Sequence, residues 1–165
     1  MPPTLETATA SWNLVDPDFP LDHFPEPNLF ESIMREARYA KDNAYAPYSK
    51  FQVGAALIIG GRIYRGANVE NASFGATMCA ERTALFNGVS DGEQKLSLVA
   101  VTTSAEAHSP IESRSPCGLC RQVMSEFATA NALVLLDDGD VNGRLTGDII
   151  PFKTLFPFQF RLEKE

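Results

Sequence analysis

Apolar positions along the chain follow two different periods. Leu29, Ile33, Ala37 and Ala40 recur every three to four residues, which predicts a helix from an Asn28 cap to about Asn43. Tyr45-Ala46-Pro47-Tyr48-Ser49 interrupts it. Gln52 to Ile59 is then a mostly apolar run, read as a strand. Gly60-Gly61 makes a tight turn and Arg62 to Val69 returns as the second arm of a hairpin. Another helix starts near Cys79 and ends before Gly88 or Gly92. Leu96 to Thr103 has the continuous apolar character of a buried strand. Residues 104–115 are polar and read as a loop. A helix from about Cys117 to Ala130 follows, with Val123, Met124 and Phe127 on one side. Leu133 to Leu136 is a short strand closed by a turn at Asp137-Asp138-Gly139-Asp140, and Leu145 to Ile150 is one more. The end of the chain, from Pro151 to Phe160, is crowded with aromatic rings.

This order of elements predicts a three-layer α/β arrangement with a central mixed sheet. The antiparallel hairpin comes first and later strands join through helices. No internal repeat is present. Residues 1–27 read as an extension ahead of a domain spanning 28–165. Six prolines in the extension oppose regular structure and its first part reads as disordered, while Trp12, Phe19, Leu21 and Phe24 supply surface that can dock.

Composition narrows the setting. The chain has 165 residues, 44% of them hydrophobic and 21% charged, as expected for one globular domain with a substantial core. No apolar run is long enough to span a bilayer, and the N-terminus lacks the pattern of a secretory signal. The net charge of −7 speaks against nucleic-acid phosphates as a partner and for a small neutral substrate. Only three cysteines are present. Without a signal they point to a reducing compartment, the cytoplasm, and to a metal rather than disulfides.

All three cysteines lie in two short segments, Cys79-Ala80-Glu81-Arg82 and Pro116-Cys117-Gly118-Leu119-Cys120-Arg121-Gln122. Residues two apart on a helix point nearly oppositely, so Cys79 and Glu81 can face one ion only if Cys79 starts its helix. Cys117 and Cys120 share a face over one turn, and a Pro-Cys start suits a helix N-terminus, which favours thiolates. Three thiolates can hold Zn²⁺ with one position open, and a carboxylate beside it can move protons. Taken alone, the C-x-x-C is as well read as a redox pair, and Glu81 as a solvated helix carboxylate. A closed structural zinc site needs a fourth ligand, and His23 and His108 lie outside both motifs.

The spacing resembles that of the zinc nucleobase deaminases, a pattern known in general form. The wider match is to the small homotetrameric cytidine deaminases. It runs through Tyr45-Ala46-Pro47-Tyr48-Ser49, Phe51-Gln52-Val53-Gly54-Ala55-Ala56, Gly66-Ala67-Asn68-Val69-Glu70-Asn71-Ala72, Cys79-Ala80-Glu81-Arg82-Thr83-Ala84 and Ser115-Pro116-Cys117-Gly118-Leu119-Cys120-Arg121-Gln122. It covers about residues 29 to 160 and implies the three-layer α/β/α deaminase fold. By the same resemblance Cys79, Cys117 and Cys120 bind zinc and Glu81 is the proton shuttle. Phe51, Asn68, Glu70 and Ala80 line the substrate site, with Phe51 at the base and Asn68 and Glu70 at the ribose hydroxyls. Arg82, supported by Gln122, offsets the charge of the sulfurs. Phe160, with Phe158 as its rival, matches the ring that a neighbouring subunit lends. Phe74 departs from the family, standing where many relatives have tyrosine, and the segment Gln94 to Arg114 is long.

The resemblance implies hydrolytic deamination of cytidine and deoxycytidine to the uridines in pyrimidine salvage, with no organic cofactor. The Asn68 amide and the Glu70 carboxylate suit a ribose diol better than a 5′-phosphate. A blasticidin-type aminonucleoside deaminase shares the zinc chemistry and ranks second. A polynucleotide-editing deaminase ranks third, opposed by the acidic charge. A non-catalytic zinc module would need neither Glu81 nor an open metal position.

Overall fold

A computed structural model describes residues 11–22 and 28–163. The elements, in chain order, are β1 (Trp12–Leu14), α1 (Leu29–Lys41), β2 (Val53–Ile59), β3 (Arg62–Ala67), α2 (Ala80–Ser90), β4 (Leu96–Thr103), α3 (Ile111–Arg114), α4 (Gly118–Ser125), β5 (Ala128–Val141), β6 (Arg144–Pro151) and α5 (Phe152–Leu155). A short 3₁₀ turn at Phe74–Ala76 precedes α2. The strands form one six-stranded sheet in the order β1-β6-β5-β4-β2-β3. Pairing is parallel for β1 with β6 and for β4 with β5, and antiparallel elsewhere, so the sheet is mixed.

The alternation of side chains along each strand makes the layers. Ala55, Leu57, Val99, Val101, Val134 and Leu136 face one side, where α2 and α4 cover them with Ala80, Ala84, Leu85, Cys120 and Met124. Ala56, Leu98, Ala100, Leu133 and Leu135 face the other, covered by Phe30, Ile33, Met34 and Ala37 of α1. This is the three-layer arrangement expected from the order of elements. Among the described residues no helix is long and apolar enough to cross a membrane.

Four local expectations change. The acidic run expected to turn at Asp137–Asp140 continues as strand. The real hairpin turn is Asn142-Gly143, with φ values of 53° and 77°, as a two-residue primed turn requires. The strand tolerates its carboxylates because Arg38 of α1 reaches across. Its Nε and Nη2 donate to the two oxygens of Asp137, both at 2.7 Å, and its Nη1 donates to Asp140 at 2.7 Å. Burial opposes the Asp137 carboxylate, but Arg38, the Thr102 hydroxyl and the Gly139 N–H together hold its pKa below the usual range.

The second change is that helix α4 stops at Ser125, short of the expected Ala130. β5 begins at Ala128, pairing with Leu96 at that point. Third, the polar segment before Pro116 contains α3, and β5 joins β6 through a hairpin rather than a helix. Fourth, the expected extension contains strand β1, whose three residues lie ahead of Pro17 and Pro20. Trp12 and Phe19 are buried there, with Leu21 packed against the same cluster. His23, Phe24 and residues 1–10 lie outside the described residues.

Candidate active site

Both cysteine segments enter helices in the same way. Cys79 is the N-cap of α2, with extended backbone (φ −74°, ψ 153°), and Cys117 is the N-cap of α4 (φ −66°, ψ 166°). Each thiol therefore sits where the helix has unpaired N–H groups and a positive dipole end, which favour a thiolate. A cap residue also lacks the helical twist that would turn its side chain away from the one two positions later, so Cys79 and Glu81 reach the same cavity.

The position of α2 depends on Gly66. A Cβ there would stand 2.4 Å from both the Ala80 carbonyl oxygen and the Ala84 nitrogen. Because those are backbone atoms, only glycine lets the helix lie this close to β3, and that closeness sets the depth of Cys79 and Glu81.

The three sulfurs converge. Cys79 Sγ is 3.9 Å from Cys117 Sγ, which is 3.6 Å from Cys120 Sγ. All three ligand atoms lie within 4.8 Å of one another. Tetrahedral zinc with Zn–S bonds of about 2.3 Å requires sulfurs roughly 3.8 Å apart, so this triad fits the ion. No disulfide links them. The Arg82 Nη2 donates to Cys79 Sγ at 3.4 Å, placing a guanidinium against that sulfur. The Cys79 thiol is lowered to about 5, first by its hydrogen bond with Cys120 and further by Arg82. The bond with Cys79, together with burial, moves the Cys120 thiol upward.

Glu81 is only 4% exposed. Burial pushes its carboxyl up to about 7, the neighbouring Cys79 charge adds to this, and hydrogen bonds and Arg82 partly oppose it. A buried carboxyl of this kind accepts and returns a proton near neutral pH.

Cys79, Cys117 and Glu81 line a cavity of about 240 Å³ together with Phe51, Val53, Asn68, Glu70, Thr103 and Arg114. A hollow of about 770 Å³ beside Trp12 and His108 is larger but holds no thiol. Chemistry rather than size selects the smaller one.

Asn68 and Glu70 hold the loop before β2. Asn68 Oδ1 accepts from Val53 N at 2.8 Å and its Nδ2 donates to the Phe51 carbonyl at 2.9 Å. Glu70 accepts from the Tyr48 and Ser49 N–H groups and from the Ser49 hydroxyl. The Ser49 bond first, then the backbone ones, lowers its carboxyl below the usual range. Each retains unused capacity, one N–H on Asn68 and lone pairs on Glu70.

The other expected residues lie apart from the cavity lining. Ala80 is fully buried, its methyl in the core. The Gln122 amide donates to the Phe160 carbonyl at 3.0 Å, so Gln122 anchors the tail rather than the sulfurs. Phe160 is 68% exposed and Phe158 92%. Sequence reasoning missed Arg114, a cavity-lining residue that is 6% exposed and whose side chain pairs with Asp148 at 2.9 Å. The one sequence sign of it was a cation directly before Ser115-Pro116-Cys117.

A sequence model of the cytidine and deoxycytidylate deaminase zinc-binding region matches residues 27–136. The chain is 46% identical over 136 residues to a cytidine deaminase of Halalkalibacterium halodurans, covering 81% of this chain and 95% of that one. It is 43% identical over 124 residues to one of Sporosarcina psychrophila, covering 73% and 88%. The crystal structure of cytidine deaminase from Burkholderia pseudomallei superposes with a TM-score of 0.65 at 40% identity, covering 79% of this chain and 98% of that one. That from Mycobacterium tuberculosis gives 0.63 at 32% identity, covering 81% and 98%.

Proposed function

Because the chain belongs to the cytidine and deoxycytidylate deaminase family, we infer that it converts cytidine and deoxycytidine to the uridines, a reaction of pyrimidine salvage. Water oxygen is added at C4 of the base, the C4–N bond breaks, and ammonia leaves. The observation that carries this reading is Glu81, buried and lining one small cavity with Cys79 and Cys117, two of three converging sulfurs. Cys79, Cys117 and Cys120 would hold zinc, which when bound would supply Lewis acidity that brings a water pKa towards roughly 7. Glu81 takes the proton from water, places it on N3, and assists the departing amine. Phe51, 39% exposed, offers an apolar wall to the pyrimidine. Asn68 and Glu70, held rigid by their loop bonds, turn their unused N–H and lone pairs to the ribose hydroxyls. Arg82 keeps the thiolates from over-neutralising the metal. Three free thiols kept for a metal suit a reducing compartment, the cytoplasm.

Ammonia release should be much faster with cytidine or deoxycytidine than with free cytosine, CMP or a cytosine in single-stranded DNA, by roughly 10²-fold or more in kcat/KM. Cytosine leaves Asn68 and Glu70 unpaired, and a phosphate approaches a protein of net charge −7. CMP turned over as well as cytidine would remove Glu70 from the ribose. No release from either nucleoside would overturn the reading.

The working form we propose is a homotetramer with shared sites. Phe152 and Phe156 pack against the core, ring to ring at 6.4 Å, whereas Phe158, Phe160 and Leu162 face outward. Such a run of exposed rings favours a partner surface. The cavity is also below the roughly 300 to 1,000 Å³ usual for ligand sites, which suits a wall supplied from outside. Phe160→Ala should raise KM or lower turnover without loss of zinc. Co-assembled Glu81→Gln and Phe160→Ala subunits should regain activity, since one intact Phe160 can serve one intact Glu81. Tagged mixed assemblies no more active than their parents would show that Phe160 is not shared.

A further inference from the structure

Strand β1 is joined to the cavity by a short polar chain. It lies parallel to β6, with Trp12 opposite Gly147 and Asn13 opposite Asp148. A Cβ at Gly147 would come within 2.6 Å of the Trp12 ring, so the indole closes on bare backbone. On its other side Trp12 meets Phe30 edge-on at 6.1 Å. This packing sets the register that brings Asn13 Nδ2 to Asp148 Oδ1 at 2.8 Å. The other oxygen of Asp148 accepts from Arg114 Nη2 at 2.9 Å. Arg114 Nε donates to the Ser109 carbonyl and Nη1 to the Asp137 carbonyl, and Nη1 also lies 3.5 Å from Asp138 Oδ1. Arg114, Ser113 and Ser115 all line the cavity, and Cys117 follows three residues later.

Asp148 is buried, and each of its oxygens has one side-chain partner. Removing the Asn13 donor leaves one oxygen unpaired, and a buried carboxylate in that state reorients towards whatever donor remains. Arg114 is that donor, so the displacement passes to the cavity wall. The zinc ligands stand on α2 and α4 and do not touch the chain of bonds. Asn13 and Asp148 also both lie outside the stretch that the family's sequence model matches.

We propose that β1 positions the substrate cavity through an Asn13–Asp148–Arg114 relay, with Asn13 a positioning residue for nucleoside binding. The proposal rests on the deaminase reading for its substrate. Its test uses the zinc-loaded full-length chain and the variants Asn13→Ala, Asn13→Asp and the swap N13D/D148N. Both single variants should raise KM for cytidine about threefold to tenfold, with kcat and zinc content within about twofold of the parent. The swap should recover KM, because it rebuilds the amide–carboxylate bond in reverse and still turns an amide oxygen to Arg114. Amide hydrogen exchange across residues 109–115 should quicken in both single variants. The Ser113 and Ser115 amides there bond to Pro110 and Ile111. Unchanged KM in both single variants would overturn the relay, as would a rise that follows Tm and is not recovered by the swap, since β1 would then be only a staple. A parent chain inactive on cytidine would defeat the functional reading instead. Exchange over 109–115 would then decide the relay, faster exchange supporting it and unchanged exchange ending it.

Discussion

Glu81→Gln is expected to lower turnover of cytidine by on the order of 10²-fold or more, the scale of general acid–base catalysis, while zinc content and Tm stay near those of the parent chain. Glutamine keeps the size and hydrogen bonds of the side chain but cannot carry a proton between water and base. The fold should not suffer, because the change removes an ionisable group from a site only 4% exposed, where charge is unfavourable. The pH profile gives a second check. Burial raises the Glu81 carboxyl to about 7, whereas a bound cation favours its ionised form and pulls it down again. A base must be ionised to act, so the activity of the zinc-loaded chain should fall as pH drops through a value below about 7, and Glu81→Gln should lack that limb. Near-normal turnover in the variant would assign the proton work to another group.

Cys120→Ala is expected to remove zinc and with it a large part of the stability. Cys120 of α4 is fully buried and lies 3.6 Å from Cys117. Two sulfurs cannot complete the three-ligand set, so affinity should collapse. The triad ties the starts of α2 and α4 together, making metal binding part of the folding free energy. A metal present at a thousand times its Kd contributes about 4.1 kcal/mol, and that contribution is lost with the site. Chelator should therefore lower the Tm of the parent chain and leave that of Cys120→Ala unchanged. One zinc per chain in the variant would take Cys120 out of the ligand set.

The parts of this protein that could be read in its sequence are those set by short spacings. β4 spans Leu96–Thr103, the range its apolar run predicts, and the Gly60-Gly61 turn joins the hairpin as expected. Cys79 and Cys117 fall at helix starts because the residues around them favour such starts, and three-residue spacing brings Cys120 beside Cys117. The convergence of the three sulfurs was thus legible, together with the order of layers, since periodicity and helical geometry act over a few residues.

Tertiary structure alone decided what depends on partners far away in the chain. The carboxylates of Asp137 and Asp140 read as a turn until Arg38, about a hundred positions earlier, neutralises them within a strand. Gln122 reads as a support for the sulfurs until the tail returns and takes its amide. Trp12 and Asn13 sit in a proline-rich stretch, and only the exposed edge of β6 gives them a strand to join. Arg114 becomes a wall of the cavity because Asp148, from the last strand of the sheet, meets it in the interior. A charge or amide in sequence carries no sign of whether its partner will be water or a distant side chain. The chain must close before that choice exists, and a buried polar group must then take the partner the fold supplies.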